Sequence, residues 1–413
     1  MNHSPDYHWR ELPGGPRLAV ASLPGSQCSA VSIHIPAGSR DEGGHPSGIA
    51  HFLEHMCFKG TDRHDARALS LRVEGAGGQI NACTSEDQTV YDARGDAELL
   101  PLLCETLADM VWRSVLPERE IGLERDVIGE EITMIRENPA DHIGDMLSAA
   151  MWPGHPLGTP ISGTLDSIGL VDRAALVMFR DAHHFRSDVV IAVAGPHPPD
   201  EVAEMLGELA PECGGVALQH EVFSRDGASP PRRLREERET DQLQLALGWR
   251  TPGRQSDERH ALRLLSLMLG ETASSRLFLD MREDRGLCYQ IASDVTLFDE
   301  VGAFEIHAGL DPGGREEALD CVFKHLQDLA ANGPDEAELL RAKRLAITQG
   351  KLAFETTASH AVWAGESLLD FGHIPTVHEW RSRIDQVSGN CIKKLCESLF
   401  INTPYAIAEI DSA

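Results

Sequence analysis

The stretch HFLEHMCFKGT, His51 to Thr61, sets two histidines four residues apart, with Glu54 directly before the second. On a helix, residues i and i+4 share a face, so the His51 and His55 imidazoles would project together. Two neutral imidazoles suit zinc, which in catalytic sites takes three protein ligands and leaves a fourth position for water. Glu54 would reach that water as a general base. With 19 histidines in 413 residues, H-x-x-E-H arises by accident in roughly one such chain in ten. The competing reading is an exposed helix with two surface histidines, and it predicts no third ligand.

A third ligand has candidates. Residues 117–139 read as a long helix, with Pro117 in its first turn, Asn138-Pro139 ending it, and an apolar stripe of Ile121, Ile128, Ile132 and Ile135. At about 100° per residue, Glu124 and Glu131 fall roughly 60° and 80° from Ile121, while Glu130 falls on the opposite face. At about 1.5 Å rise per residue, Glu124 and Glu131 stand roughly 10 Å apart along the axis. One would bind the metal and the other support the site. The helical wheel does not choose between them.

The elements that must position these residues can also be read. Pro46-Ser47-Gly48 starts the His51 helix and Lys59-Gly60 closes it. The strand-like RLAVASL and SAVSIHI precede it. Pro211 to Asp241 is the clearest break in composition, with glycines, a Pro-Pro pair and the charge run RRLREERE, and it reads as an exposed connection. The division is a first domain at 1–213, a linker at 214–240 and a second domain at 241–413. The halves look related. QLQLALGW leads into HALRLLSLMLGE as the strands of the first half lead into the His51 helix, and PEREIGLERDVIGEEITMI is matched by PDEAELLRAKRLAITQG. The expected fold is α+β, two homologous α/β-sandwich domains in one chain.

Composition narrows the function classes. A net charge of -28 argues against nucleic acid, whose partners need basic faces, and would suit a cationic partner. No apolar run is long enough to span a bilayer, and MNHSPDYHWRELPGG lacks a signal core. Nine cysteines without a C-x-x-C disfavour a disulfide framework and point to a reduced cytoplasm. Cys57, Cys391 and Cys396 read as buried small hydrophobes.

H-x-x-E-H reverses the H-E-x-x-H order of other zinc peptidases. Together with ERDVIGEEI it closely resembles the pitrilysin family, which includes insulinase and the mitochondrial processing peptidase. In that family a glutamate about 75 residues beyond the second histidine is the third zinc ligand, and another seven residues before it supports the site. Here 75 residues lie between His55 and Glu131. The resemblance therefore implies one zinc per chain held by His51, His55 and Glu131, with Glu124 in support and Glu54 as base.

GGQINACTSEDQTVYDA, Gly77 to Ala93, resembles the strand beside the substrate, where the positions matching Asn81 and Ala82 contact the peptide backbone. That would be β-augmentation, in which main-chain hydrogen bonds hold an extended peptide. SSRLFLDMREDRGLCYQI carries Arg282 and Tyr289 at the family's seven-residue spacing. The resemblance makes them donors to the scissile carbonyl as its oxygen gains charge. Arg276 and Arg285 lie nearby, so the spacing alone is weak, and Cys288 stands where alanine is expected. HPLGTPISGT and VVIAVAGP also look familial and are expected to serve the fold first.

The chain resembles the short bacterial members, which implies a clamp-like chamber formed by dimerisation, as a homodimer or as a heterodimer with a related chain. The implied activity is that of a zinc metalloendopeptidase acting on extended peptides or unfolded segments. Two alternatives stand beside it. One is dedicated processing of a precursor or leader peptide in cofactor or modified-peptide biosynthesis. The other is a non-catalytic scaffold subunit, against which the intact motif speaks.

Overall fold

The computed structural model describes residues 5–214 and 229–412. It divides into two compact units, each assembled from three separate segments. The first holds residues 1–133, 159–220 and 353–376; the second holds 134–158, 221–352 and 377–413.

A six-stranded sheet forms the first unit, from β1 (Asp6–Glu11), β2 (Arg17–Ser22), β3 (Cys28–Ile35), β4 (Gln79–Thr84), β5 (Thr89–Asp96) and β6 (Val190–Gly195), in the order β1-β2-β6-β3-β5-β4. The second unit has β7 (Arg233–Glu237), β8 (Leu243–Pro252), β9 (Cys288–Leu297), β10 (Val301–Leu310) and β11 (Ala406–Asp411), in the order β7-β11-β8-β10-β9. Setting β1 aside, the two sheets have one design. In each, the first strand pairs parallel with the last (β2 with β6, β7 with β11), and every other pairing is antiparallel. The duplication expected from the sequence is present in the topology.

Alternation along the strands explains both faces of the first sheet. Leu18, Val20, Val31, Ile33, Ile35, Ile191 and Val193 point into the main core with Phe52, Leu53 and Met56 of the His51 helix. The intervening positions are mostly small, with Val190 and His34 the larger ones: Ala19, Ala21, Ala30, Ala192 and Ala194 meet Ala361, Ala364 and Leu368 of the helix Thr357–Phe371. A strand buried on both faces loses the polar side of its pattern, and the small residues allow a helix to lie close. The second sheet repeats the arrangement. Ala246, Ala303, Ala406 and Ala408 pack beneath Ile143, Leu147 and Ala150 of the helix Pro139–Met151. Each sheet is thus covered by a helix from the other half of the sequence. The chain halves are contiguous in sequence, but the compact units are not.

The linker reading needs correction at its end. Residues 215–228 lie outside the described residues, but Arg233–Glu237, read as a solvated charge run, is strand β7, paired parallel with β11 at the sheet edge. Leu234 packs against the core beneath the Pro139–Met151 helix, while the arginines on either side are exposed. Five residues with one apolar position hide an edge strand from a composition reading. Cys57 and Cys396 are buried as expected, whereas Cys391 is exposed near the start of the helix Gly389–Phe400. No helix among the described residues is long and apolar enough to cross a membrane.

Candidate metal centre

The helix Ile49–Cys57 carries His51, Glu54 and His55, and buries Ile49, Phe52, Leu53 and Met56 on its opposite side. The helix Glu118–Glu137 buries Ile121, Ile128 and Ile132 of the stripe read from the sequence, and Glu124 beside them, while Ile135 is half-buried. Glu124 is 5% exposed, Glu131 is half-buried and Glu130 is exposed, so both wheel positions fall as expected.

The two helices bring three ligand atoms together. His51 Nε2 lies 3.9 Å, and His55 Nε2 3.8 Å, from Glu131 Oε2. Metal–ligand bonds of about 2.0–2.1 Å bridge such separations. His55 Nδ1 lies 3.0 Å from Glu124 Oε2. With the proton on Nδ1 donated to that carboxylate, the Nε2 lone pair is left facing Glu131, the usual way a ligating imidazole is oriented. The other oxygen of Glu124 pairs with Lys59 Nζ at 2.5 Å. Burial, followed by the neighbouring His55, holds the His51 imidazole down at about 4, so it is neutral and able to ligate.

Glu54 is buried, and Thr84 Oγ1 at the end of β4 donates to its Oε2 at 2.6 Å. Burial pushes the Glu54 carboxyl up, with the Thr84 hydrogen bond and His55 pulling down and Glu131 pushing further up. Glu54, Glu124 and Glu131 against Lys59 leave two negative charges, the complement of a divalent cation. The donor set of two imidazoles and a carboxylate, charge-matched and with one imidazole already oriented, fits zinc.

Asn81 and Ala82 lie on β4, which ends the first sheet and, among the described residues, pairs only with β5. The Asn81 side chain is exposed, and Ala82 packs towards the core. Arg282 and Tyr289 belong to the second unit. Arg282 sits on a π-helical segment, Phe278–Asp284, and its guanidinium lies 4.7 Å from the Phe278 ring centre and 5.3 Å from that of Tyr289. Its neighbours are committed elsewhere: Arg276 to Glu338 and Asp328, Arg285 to Asp280 and Glu317. Among the three arginines, Arg282 is the one paired with the tyrosine. Tyr289 is 76% exposed.

A second His/Cys/Asp cluster, Asp280, Cys321 and His325, lies in the second unit. Its carboxylate already accepts from Arg285, His325 and Cys321, bracing the π-helical segment against the helix Arg315–Asn332.

Thr84 and Lys59 are partners that the sequence reading missed. Lys59 lies beyond the helix Ile49–Cys57, where its sequence signals no more than a helix stop. Only the fold brings it to Glu124. Thr84 shares the alternation of Ala82 along β4, which was the one available signal.

Comparison with known proteins identifies the family of the chain. Residues 17–165 match the insulinase (peptidase family M16) model, and residues 171–346 match that family's inactive-domain model. An uncharacterized zinc protease of Mycobacterium leprae is 33% identical over 401 residues, covering 96% of this chain and 90% of that protein. The mitochondrial-processing peptidase subunit beta of Bos taurus is 29% identical, covering 97% and 83%. A protease from Helicobacter pylori has the same fold, with a TM-score of 0.90 at 21% identity over 99% of this chain and 100% of that one. With residues 17–165 and 171–346 matched to that family's models and a relative 33% identical over 96% of its length, the chain belongs to the insulinase family of peptidases.

Proposed function

We propose that the protein is a zinc metalloendopeptidase that hydrolyses peptide bonds in extended peptides or unfolded segments. One observation carries the reading: two imidazoles and the Glu131 carboxylate converge beside a buried Glu54 that Thr84 holds in place. His51, His55 and Glu131 would hold the zinc, and Glu124 would orient His55. Bound zinc supplies Lewis-acid activation of water and of the substrate carbonyl. Glu54 takes the proton from the attacking water and passes it to the leaving amine. The free edge of β4, at Asn81 and Ala82, pairs with the substrate backbone, so selection rests on extension rather than on a side-chain code. Arg282 and Tyr289 are assigned the developing oxyanion.

The active assembly we propose is a dimer, with this chain or a related one as partner, in which the zinc unit of one chain works with the Arg282/Tyr289 unit of the other. The test uses a diverse peptide library read by mass spectrometry, with Glu54→Gln as the control. Mixing Glu54→Gln with an Arg282→Ala/Tyr289→Phe variant then tests the dimer. Recovered cleavage is expected from mixed dimers. If subunits exchange and no activity returns, the dimeric site is excluded. If the library stays intact with zinc-loaded wild type, the peptidase reading falls.

A further inference from the structure

The helix that carries His51 begins without a cap of its own. It has nine residues, Ile49–Cys57, and His51 is the third, inside the first turn. First-turn amides of an α-helix find no carbonyl within the helix. A serine, threonine, aspartate or asparagine just before it is the usual remedy.

That position is Gly48, at φ 90°. Nothing larger fits there. A Cβ on Gly48 would lie 2.5 Å from the Ser162 carbonyl oxygen, and one on Gly163 would lie 2.3 Å from that of Ser47. The segment HPLGTPISGT, left without a site role by its sequence, thus presses on the helix start and forbids a local cap.

Glu42 supplies one from six residues upstream. It is 7% exposed, and its Oε1 accepts from the Gly48 amide at 2.9 Å and the Ala50 amide at 3.2 Å. Burial pushes this carboxyl up to about 7, against the pull of the Ala50, Gly48 and Ile49 amides. It keeps an acceptor oxygen whether or not it carries a proton.

The two histidines are held differently. His55 is fixed through its own ring by Glu124. His51 Nδ1 is buried with no hydrogen-bond partner among the described residues, so the ring has no such brace. Its position is set by the backbone of the first turn. We propose that Glu42 is a positioning residue for His51, closing the first turn of the helix so that His51 Nε2 stays within ligand spacing of Glu131. The proposal rests on the zinc reading above.

The test follows zinc release rather than activity. Zinc-loaded full-length protein is challenged with a chromogenic chelator at a temperature well below melting. Glu42→Ala is expected to release zinc about tenfold faster than wild type, and Glu42→Gln, which keeps the acceptor oxygen, to stay within about threefold. Gly365→Ala, a destabilising change remote from the metal, serves as the control for general loosening. Release from Glu42→Ala no faster than from Gly365→Ala overturns the proposal. If Glu42→Ala does not fold, Glu42→Asp, whose carboxylate is one methylene shorter, takes its place with the same expected acceleration. Zinc retention by His51→Ala would instead overturn the zinc reading itself, whereas its loss there beside wild-type release from Glu42→Ala overturns the cap alone.

Discussion

The carboxylate of Glu124 joins His55 Nδ1, at 3.0 Å, to Lys59 Nζ, at 2.5 Å, so one side chain contacts both the proposed ligand imidazole and the ammonium behind it. Glu124→Gln is expected to weaken zinc binding about 10- to 100-fold in competition titrations against a chelator. Lys59→Met should weaken it less, because the ligand geometry survives. Glu131→Gln should strip the metal while Glu130→Gln leaves it bound, and the reverse result would refute the ligand assignment.

The Thr84–Glu54 hydrogen bond of 2.6 Å is a separate element of the site. Glu54→Gln should retain zinc and lose activity by roughly 10²–10⁴-fold. Thr84→Val removes one hydrogen bond to a charged group, so kcat is expected to fall about tenfold with zinc content and KM little changed. A Thr84→Val enzyme with wild-type kcat would show that Glu54 needs no orientation from β4.

Close approach between the Thr357–Phe371 helix and its sheet depends on Gly365. A Cβ there would lie 2.1 Å from His34 Nε2, on a ring that is fully buried and cannot swing aside. Gly365→Ala should destabilise the fold by about 1–3 kcal/mol in urea melts. Trimming the ring in His34→Ala should make the same glycine change nearly neutral, a coupling visible in a double-mutant cycle. Additive losses would argue against the contact.

Burial also makes stability depend on pH. It holds His34 and His184 down at about 4 in the folded chain. An unfolded histidine titrates near 6.5. Between these values the unfolded chain binds protons that the folded chain refuses, so stability is full above about pH 6.5 and falls as pH drops towards 4. Each imidazole would cost on the order of 2 kcal/mol at pH 5. Urea midpoints of the metal-free protein at pH 7.5 and pH 5 measure the loss, and an unchanged midpoint would refute it.

Much of this site could be read in the sequence because its signals are local or periodic. The H-x-x-E-H spacing needs only one turn of helix, and Glu124 and Glu131 follow from a stripe of isoleucines. The choice between the two glutamates came from family resemblance. Contacts made by the fold between unrelated positions were not legible: Thr84 to Glu54, Lys59 to Glu124, and Glu42 to a helix whose glycine start looked sufficient. Strand β7 was hidden for another reason. An edge strand of two arginines, two glutamates and a single leucine has the composition of a solvated loop, and its pairing with β11 distinguishes it.

The covering of the first sheet by residues Thr357–Phe371 has a consequence for synthesis on the ribosome. All six strands of that sheet have been made once Gly195 is in place, yet one face stays open to water until the distant helix emerges. At about 5–20 residues per second the delay is on the order of 10–30 s, during which a bare, alanine-rich sheet invites proteases and chaperones. Ribosome-bound chains stalled short of Thr357 should be cut readily within their first half, and chains released at full length should resist. Equal resistance would mean that the sheet settles without its cover. The first unit takes its last segment from residues 353–376 and the second from 377–413, so a chain broken off midway completes neither.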